Sequence, residues 1–208
     1  MRLKSLVAAI ATVASLAPIA AHAQANENPW MVRVRAVDLL WNNGQTGIAQ
    51  TQNLKAKNEW IPEFDVTYFF TKNIATELVL TYPQQVTINN ASTQAGKISA
   101  LPPSLLLQYH FTDLGAFKPY VGAGINYTIF GNRQNFPAYS NAVQVEPSSV
   151  GFVGQIGADY MFDKNWGANI DLKYATMATN VQYVAGGANA GKLTLNPWMP
   201  AVGVTYKF

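Results

Sequence analysis

The sequence predicts an all-β fold, an eight-stranded antiparallel transmembrane β-barrel of the bacterial outer membrane. Three observations predict it. The chain opens with an export leader; no stretch beyond that leader is long and apolar enough for a membrane helix; and period-two alternation recurs from Trp30 to Phe208 in segments about as long as the ~9–11 residues of a tilted membrane strand.

The leader comes first in the chain. Arg2 and Lys4 precede an apolar run from Leu6 to Ala17, and the small-residue pattern Ala21-His22-Ala23 places a signal-peptidase cut before Gln24. Residues 1–23 are therefore expected to be removed, leaving 24–208 as one barrel domain. Both basic residues of the leader go with it and no acidic one does, so 14 Lys+Arg fall to 12 against 11 Asp+Glu. The near-neutral remainder has no basic run, which argues against a nucleic-acid partner. The chain has no cysteine, so neither disulfides nor thiolate metal sites hold it together. With 49% hydrophobic residues and no membrane helix, only strands remain to span a bilayer, and they must close on themselves so that no backbone group stays unpaired in lipid.

Each strand then reads as two faces. The first sets Trp30, Val32, Val34 and Ala36 against Arg33 and Arg35; the second sets Trp60, Phe64, Val66, Tyr68 and Phe70 against Glu63, Asp65 and Thr67. In the third, Ile74, Leu78, Leu80 and Tyr82 oppose Glu77 and Thr81. A Pro102-Pro103 bend precedes the fourth, where Leu105, Leu107, Tyr109 and Phe111 oppose Ser104, Gln108 and His110. The fifth alternates Val121, Ala123, Ile125, Tyr127 and Ile129 with Gly122, Gly124, Asn126 and Thr128. The sixth puts Val150, Phe152, Ile156, Tyr160 and Phe162 opposite Gly151, Gln155, Gly157 and Asp159. In the seventh, Ala168, Ile170, Leu172 and Tyr174 face away from Asn169, Asp171 and Lys173; in the eighth, Trp198, Val202, Val204, Tyr206 and Phe208 face away from Gly203, Thr205 and Lys207.

The connections alternate in length, as short periplasmic turns and long external loops do. Short ones lie at Thr71-Lys72-Asn73, Thr112 to Ala116 and Asp163-Lys164-Asn165. Long polar ones run from Trp41 to Asn58, Pro83 to Lys97, Gly131 to Pro147 and Met177 to Lys192, which puts both termini in the periplasm. Aromatic residues gather at the short-turn ends of the outward faces, with a second set of Trp60, Tyr82, Tyr127, Tyr174 and Trp198 near the loops. Girdles at both ends suit a membrane barrel, whereas a soluble β-sandwich would alternate without them.

Within this frame, Leu101-Pro102-Pro103-Ser104-Leu105-Leu106-Leu107-Gln108-Tyr109-His110-Phe111, followed by Lys118-Pro119-Tyr120-Val121-Gly122-Ala123-Gly124-Ile125-Asn126-Tyr127-Thr128, resembles the central stretch of the OmpW family of outer-membrane proteins. The start, Trp30-Met31-Val32-Arg33-Val34-Arg35-Ala36, and the end, from Asn196-Pro197-Trp198 to Gly203-Val204-Thr205-Tyr206-Lys207-Phe208, are similar too. The resemblance implies a barrel associated with passage of small, often hydrophobic molecules, as in the related alkane-uptake proteins. The terminal Phe208, after alternating apolar residues, is the kind of end the barrel-assembly machinery takes. The expected surroundings are outer-membrane lipid and lipopolysaccharide.

The inward faces carry the functional reading. Arg33, Arg35, Lys118, Lys173 and Lys207 match Glu63, Asp65, Glu77, Asp159 and Asp171, and Arg33 and Arg35 are expected to meet Glu63 and Asp65 on the neighbouring strand. An eight-stranded barrel is only wide enough to be filled by side chains, so the balanced set reads as a charge plug. A narrow ion channel, the competing reading, would show an excess of one sign. Nearer the loops the inward set turns apolar: Val37, Leu39, Ile61, Pro102 and Phe130, then Val153, Ala175, Met177, Leu195 and Met199. An apolar funnel above a charged floor suits a small hydrophobic solute, which would leave sideways where Pro62, Pro102-Pro103 or Pro197 to Pro200 lack ladder donors. The other function class is a surface-interaction barrel whose loops bind a host factor, phage or toxin. Beyond the leader His110 is the only histidine, and it falls near the short-turn end, so a Ser-His-acid triad or a multi-histidine metal site is not expected, nor is any cofactor.

Overall fold

Alternating residues become a barrel when one parity faces lipid, the other faces the lumen, and the last strand pairs with the first. The computed structural model describes residues 28–90 and 93–208; the expected signal peptide, residues 1–23, lies outside them. In chain order the strands are β1 (Trp30–Leu39), β2 (Gly44–Gly47), β3 (Leu54–Ala56), β4 (Glu59–Phe69), β5 (Ile74–Leu80), β6 (Gln84–Asn90), β7 (Thr93–Leu101) and β8 (Ser104–His110). They continue as β9 (Phe117–Gly131), β10 (Val143–Val145), β11 (Ser148–Met161), β12 (Trp166–Ala175), β13 (Ala178–Tyr183), β14 (Asn189–Thr194) and β15 (Trp198–Lys207), with one helical turn, α1 (Ile48–Thr51), between β2 and β3.

Eight of these close into a barrel in the order β1-β4-β5-β8-β9-β11-β12-β15, and β15 returns to β1; every pair is antiparallel. The register sets Arg33 opposite Asp65 and Thr205, and Arg35 opposite Glu63 and Gly203, so the charged parity of three neighbouring strands converges inward. The apolar parity lies outside, where Leu107, Phe152 and Ile170 are each at least 60% exposed. In water that surface would be costly, and in lipid it is the solvent-facing side.

One end of the barrel is closed by tight turns, the other prolonged by longer segments. At the turn end, Thr71 Oγ1 accepts from Asn73 and Ile74 N–H, and Asp163 Oδ1 accepts from Asn165 and Trp166 N–H at 2.7 Å each. Those two amides hold the exposed Asp163 carboxyl below its ordinary range. Edge-to-face aromatic pairs ring this end, among them Trp30 with Tyr68 at 4.9 Å and Trp166 with Tyr206 at 4.8 Å; Tyr174 and Trp198, 4.8 Å apart, belong to the girdle at the loop end.

The long segments, which the sequence suggested were polar loops, are largely strands. β6 and β7 form a hairpin that joins β3 on one side and the end of β9 on the other, while β13 and β14 pair with each other and with β10 and β2. The hairpin, part of the barrel's own sheet, and the separate four-stranded sheet carry the barrel wall onward. Their inward residues, including Val86, Ile88, Val143, Val145, Val181 and Leu193, pack with Ala49 of α1 and Phe136 into one core continuous with the upper lumen.

Candidate functional site

Of the charged lumen residues, Arg33 and Arg35 make the widest set of contacts. Arg33, fully buried, grips Asp159 with a fork, Nε to Oδ1 at 3.1 Å and Nη2 to Oδ2 at 2.7 Å, and its Nη1 reaches Glu77 at 2.6 Å and Thr67 Oγ1 at 3.1 Å. Arg35 donates to Asn169 at 2.8 Å, Glu63 at 3.1 Å and Glu77 at 3.2 Å, and its Nη1 lies 3.2 Å from Asp65. Lys173 bridges Glu63 at 2.7 Å and Asp171 at 2.9 Å. Two arginine forks and an ammonium thus bind five carboxylates at the middle of the lumen.

Neutral groups complete the network. Tyr120 donates its hydroxyl to Asp171 at 2.7 Å and carries the Arg33 guanidinium over its ring at 4.7 Å. Gln155 donates to both Glu77 and Asp171; Gln108 donates to Gln155; and His110 Nε2 meets Gln108 Oε1 at 2.9 Å while its ring stacks on Tyr120. Asn169 and Thr205 both donate to Asp159. All eight barrel strands contribute. Gly157 makes the room: a Cβ there would stand 2.4 Å from the Tyr120 hydroxyl.

The geometry corrects the sequence reading at three points. Although Arg33 sits opposite Asp65 in register, it reaches across the lumen to Glu77 and Asp159, and only Arg35 meets Glu63 and Asp65. A long side chain rooted on a curved wall finds more carboxylates across the lumen than beside it. Lys118 stands outside the network, its ammonium on the Thr112 carbonyl, and Lys207 lies over the Phe69 ring at 5.7 Å. Among the described residues the buried ion pairs bring Arg33, Arg35 and Lys173 against the five carboxylates. Amide and hydroxyl donors from Gln155, Tyr120, Asn169 and Thr205 offset part of that imbalance.

The apolar positions lie directly above. Val37, Leu39, Ile61, Phe130, Met177 and Leu195 belong to the core shared with the extension sheets. Val153 and Ala175 pack with Val79 and Leu106 in a second cluster, and Met199 is partly buried against both. Pro102 and Met199 help line a cavity of about 30 Å³ that has Lys173 and Glu63 for its floor. The expected open funnel is absent: Phe136 and Ala49 from the long segments are buried in the core that caps it, and the remaining space suits a water or two.

The proline interruptions differ. At Pro102-Pro103 the wall stays joined, because Tyr127 N–H reaches the Pro103 carbonyl and Leu101 pairs with Ile129. Near Pro197, Ala175 N–H reaches its carbonyl, and Leu40 and Trp198 exchange two bonds. Beside Pro62 the β4–β5 ladder ends at Phe64↔Leu80, and among the described residues the wall rejoins only where Lys57 N–H meets the Thr87 carbonyl and Ala56 pairs with Ile88. Ile61 on one side of that window and Thr81 and Gln84 on the other also line the cavity. Outside stand Trp60 and Tyr82, both well exposed.

A closed eight-stranded barrel with an apolar belt, two aromatic girdles and an ion-paired lumen defines an outer-membrane barrel protein. The chain belongs to the OmpW family, whose sequence pattern it matches over residues 27–208. Outer-membrane protein y4mB of Sinorhizobium fredii is 40% identical over 206 residues, covering 97% of this chain and 89% of that protein. Outer membrane protein W of Vibrio cholerae is 30% identical over 221 residues, covering 99% of this chain and all of that protein. The crystal structure of OprG from Pseudomonas aeruginosa superposes with a TM-score of 0.70 at 25% identity, covering 89% of this chain and 99% of that one.

Proposed function

We propose that the protein admits small hydrophobic molecules into its apolar upper lumen and releases them sideways into the bilayer through the window between β4 and β5. In this reading the loop end faces outward, the turn end and both termini face the periplasm, and the leader is cut before Gln24. The single observation that carries it is the juxtaposition of three features: a mostly apolar chamber, a floor of buried ion pairs drawn from β1, β4, β5, β11 and β12, and a break in the wall at the chamber's own height. Ion pairs that fill the lumen oppose straight passage, and a hydrophobic solute loses little on leaving an apolar chamber for lipid. A relative from Pseudomonas aeruginosa, 25% identical over 198 residues, is named as a dibenzothiophene metabolism operon protein, and dibenzothiophene is an apolar aromatic compound. Admission requires the extension segments to part, because the chamber as it stands is smaller than any such solute.

Uptake of an alkane-like probe into proteoliposomes tests the route. Ile61→Trp obstructs chamber and window together, Met199→Trp obstructs the chamber alone, and Lys118→Ala alters only the turn-end mouth. Uptake falls severalfold for both tryptophan variants and stays near wild type for Lys118→Ala. Unchanged uptake in the first two with a marked change in the third means that solute traverses the whole barrel.

A further inference from the structure

At the loop end the outer wall bears a polar cleft of about 490 Å³, distinct from the chamber. It arises from a fork. β11 runs on to Ser148 beside β9, whereas β12 stops pairing with β11 after Val153↔Ala175, and its continuation β13 turns to β14 and β10. Side chains supplement the few backbone bonds left there: beside the bond from Thr176 N–H to the Phe152 carbonyl at 2.8 Å, Phe152 N–H donates to Thr176 Oγ1 at 2.8 Å and Ala178 N–H donates to Ser149 Oγ at 3.2 Å. The strands approach so closely that a Cβ at Gly151 would stand 1.7 Å from the Thr176 carbonyl oxygen, which reserves the position for glycine.

Ser148, Asn180, Thr194 and Asn196 give the cleft hydroxyls and amides, with Glu146 and Lys192 its charged members. Glu146 is engaged, accepting from Asn180 N–H at 3.4 Å and the Gln182 amide at 3.5 Å. Lys192 is exposed and forms no ion pair among the described residues. Val150 adjoins the cleft and Phe152 follows it on the lipid face, each 74% exposed, with the paired Tyr174 and Trp198 rings of the girdle nearby. Donors and acceptors held beside an aromatic belt lie at the depth of lipid headgroups.

We infer that this cleft seats the phosphorylated sugar headgroup of an outer-leaflet glycolipid, with Lys192 on the phosphate, Ser148, Asn180 and Thr194 on sugar hydroxyls, and the acyl chains along Val150 and Phe152. A simple phosphate would use one ammonium and leave the hydroxyl and amide array idle; a sugar phosphate uses both. The inference rests on the outward orientation of the loop end proposed above, but not on the solute route, and retention measured in micelles reports neither, so the two readings fail separately.

Native mass spectrometry of the full barrel, released from micelles holding equal amounts of lipid A and phosphatidylglycerol, tests it. Wild type retains one lipid A in preference to phosphatidylglycerol. Lys192→Glu lowers that retention roughly tenfold, the scale of one charge-assisted contact. Thr194→Trp, which fills the cleft, abolishes it while heat-modifiable gel mobility reports an intact barrel; should that variant not fold, Lys192→Glu alone decides. Soluble glucosamine phosphate competes poorly, because it lacks the chains. Equal retention of the two lipids by wild type, retention unchanged by Lys192→Glu, or competition by the soluble sugar as strong as by lipid A overturns the assignment.

Discussion

Arg33 concentrates the energetics of the lumen, since its guanidinium alone touches Asp159, Glu77, Thr67 and the Tyr120 ring. Removing one partner of a buried ion pair leaves an uncompensated charge and costs about 3–5 kcal/mol. Arg33→Ala therefore lowers the urea midpoint of the barrel in lipid vesicles by that equivalent, whereas Lys118→Ala, at the mouth, stays within about 0.5 kcal/mol of wild type. Equal midpoints for the two variants are the result that excludes a stabilising network. At this scale the sequence was informative about which residues face inward and silent about whom they meet. Parity along each segment placed Arg33, Glu77, Asp159 and Lys173 in the lumen. It placed Gln155 and Asn169 there as well, yet their neutral side chains gave no sign that they join the carboxylates together, and Tyr120, which donates to Asp171, was not singled out at all. Partner choice depends on the reach of a side chain across a curved wall, which no spacing along the chain encodes.

The elements that hold the chamber shut are those hardest to read. β6, β7, β13 and β14 alternate less regularly than the barrel strands, with register shifts at Ile88/Asn89 and Val181/Gln182, and their outward residues are mostly polar because they project beyond the lipid, so composition reads them as loops. Their inward residues share one core: Val86 and Ile88 on β6, Ala95 and, past an irregularity at Gly96, Ile98 on β7, Val181 on β13 and Leu193 on β14 are all buried there. Ile88→Asn places an amide in that core at a cost of about 1–3 kcal/mol. Limited proteolysis of the folded variant is expected to cleave the β6–β7 hairpin several times faster than in wild type, with heat-modifiable mobility retained. A hairpin no more sensitive than wild type indicates that the extension does not depend on this core. The same core blocks the open funnel that the apolar parity suggested, because residues distant in sequence such as Phe136 and Ala49 fold back over it.

For the whole molecule, closure of the barrel follows from the absence of any long apolar run together with eight alternating segments, and both were legible without coordinates. The window between β4 and β5 was not, because three proline interruptions looked alike and only the hydrogen bonds of neighbouring strands separate them. The central claim is that water-soluble solutes are stopped by the ion pairs while hydrophobic ones pass through the chamber into the bilayer. Its most direct test offers glycerol and an alkane-like probe together to proteoliposomes carrying the wild-type barrel and to empty liposomes. The account predicts probe uptake several times the empty-liposome rate with glycerol entry indistinguishable from background; glycerol entry matching or exceeding that of the probe would contradict it.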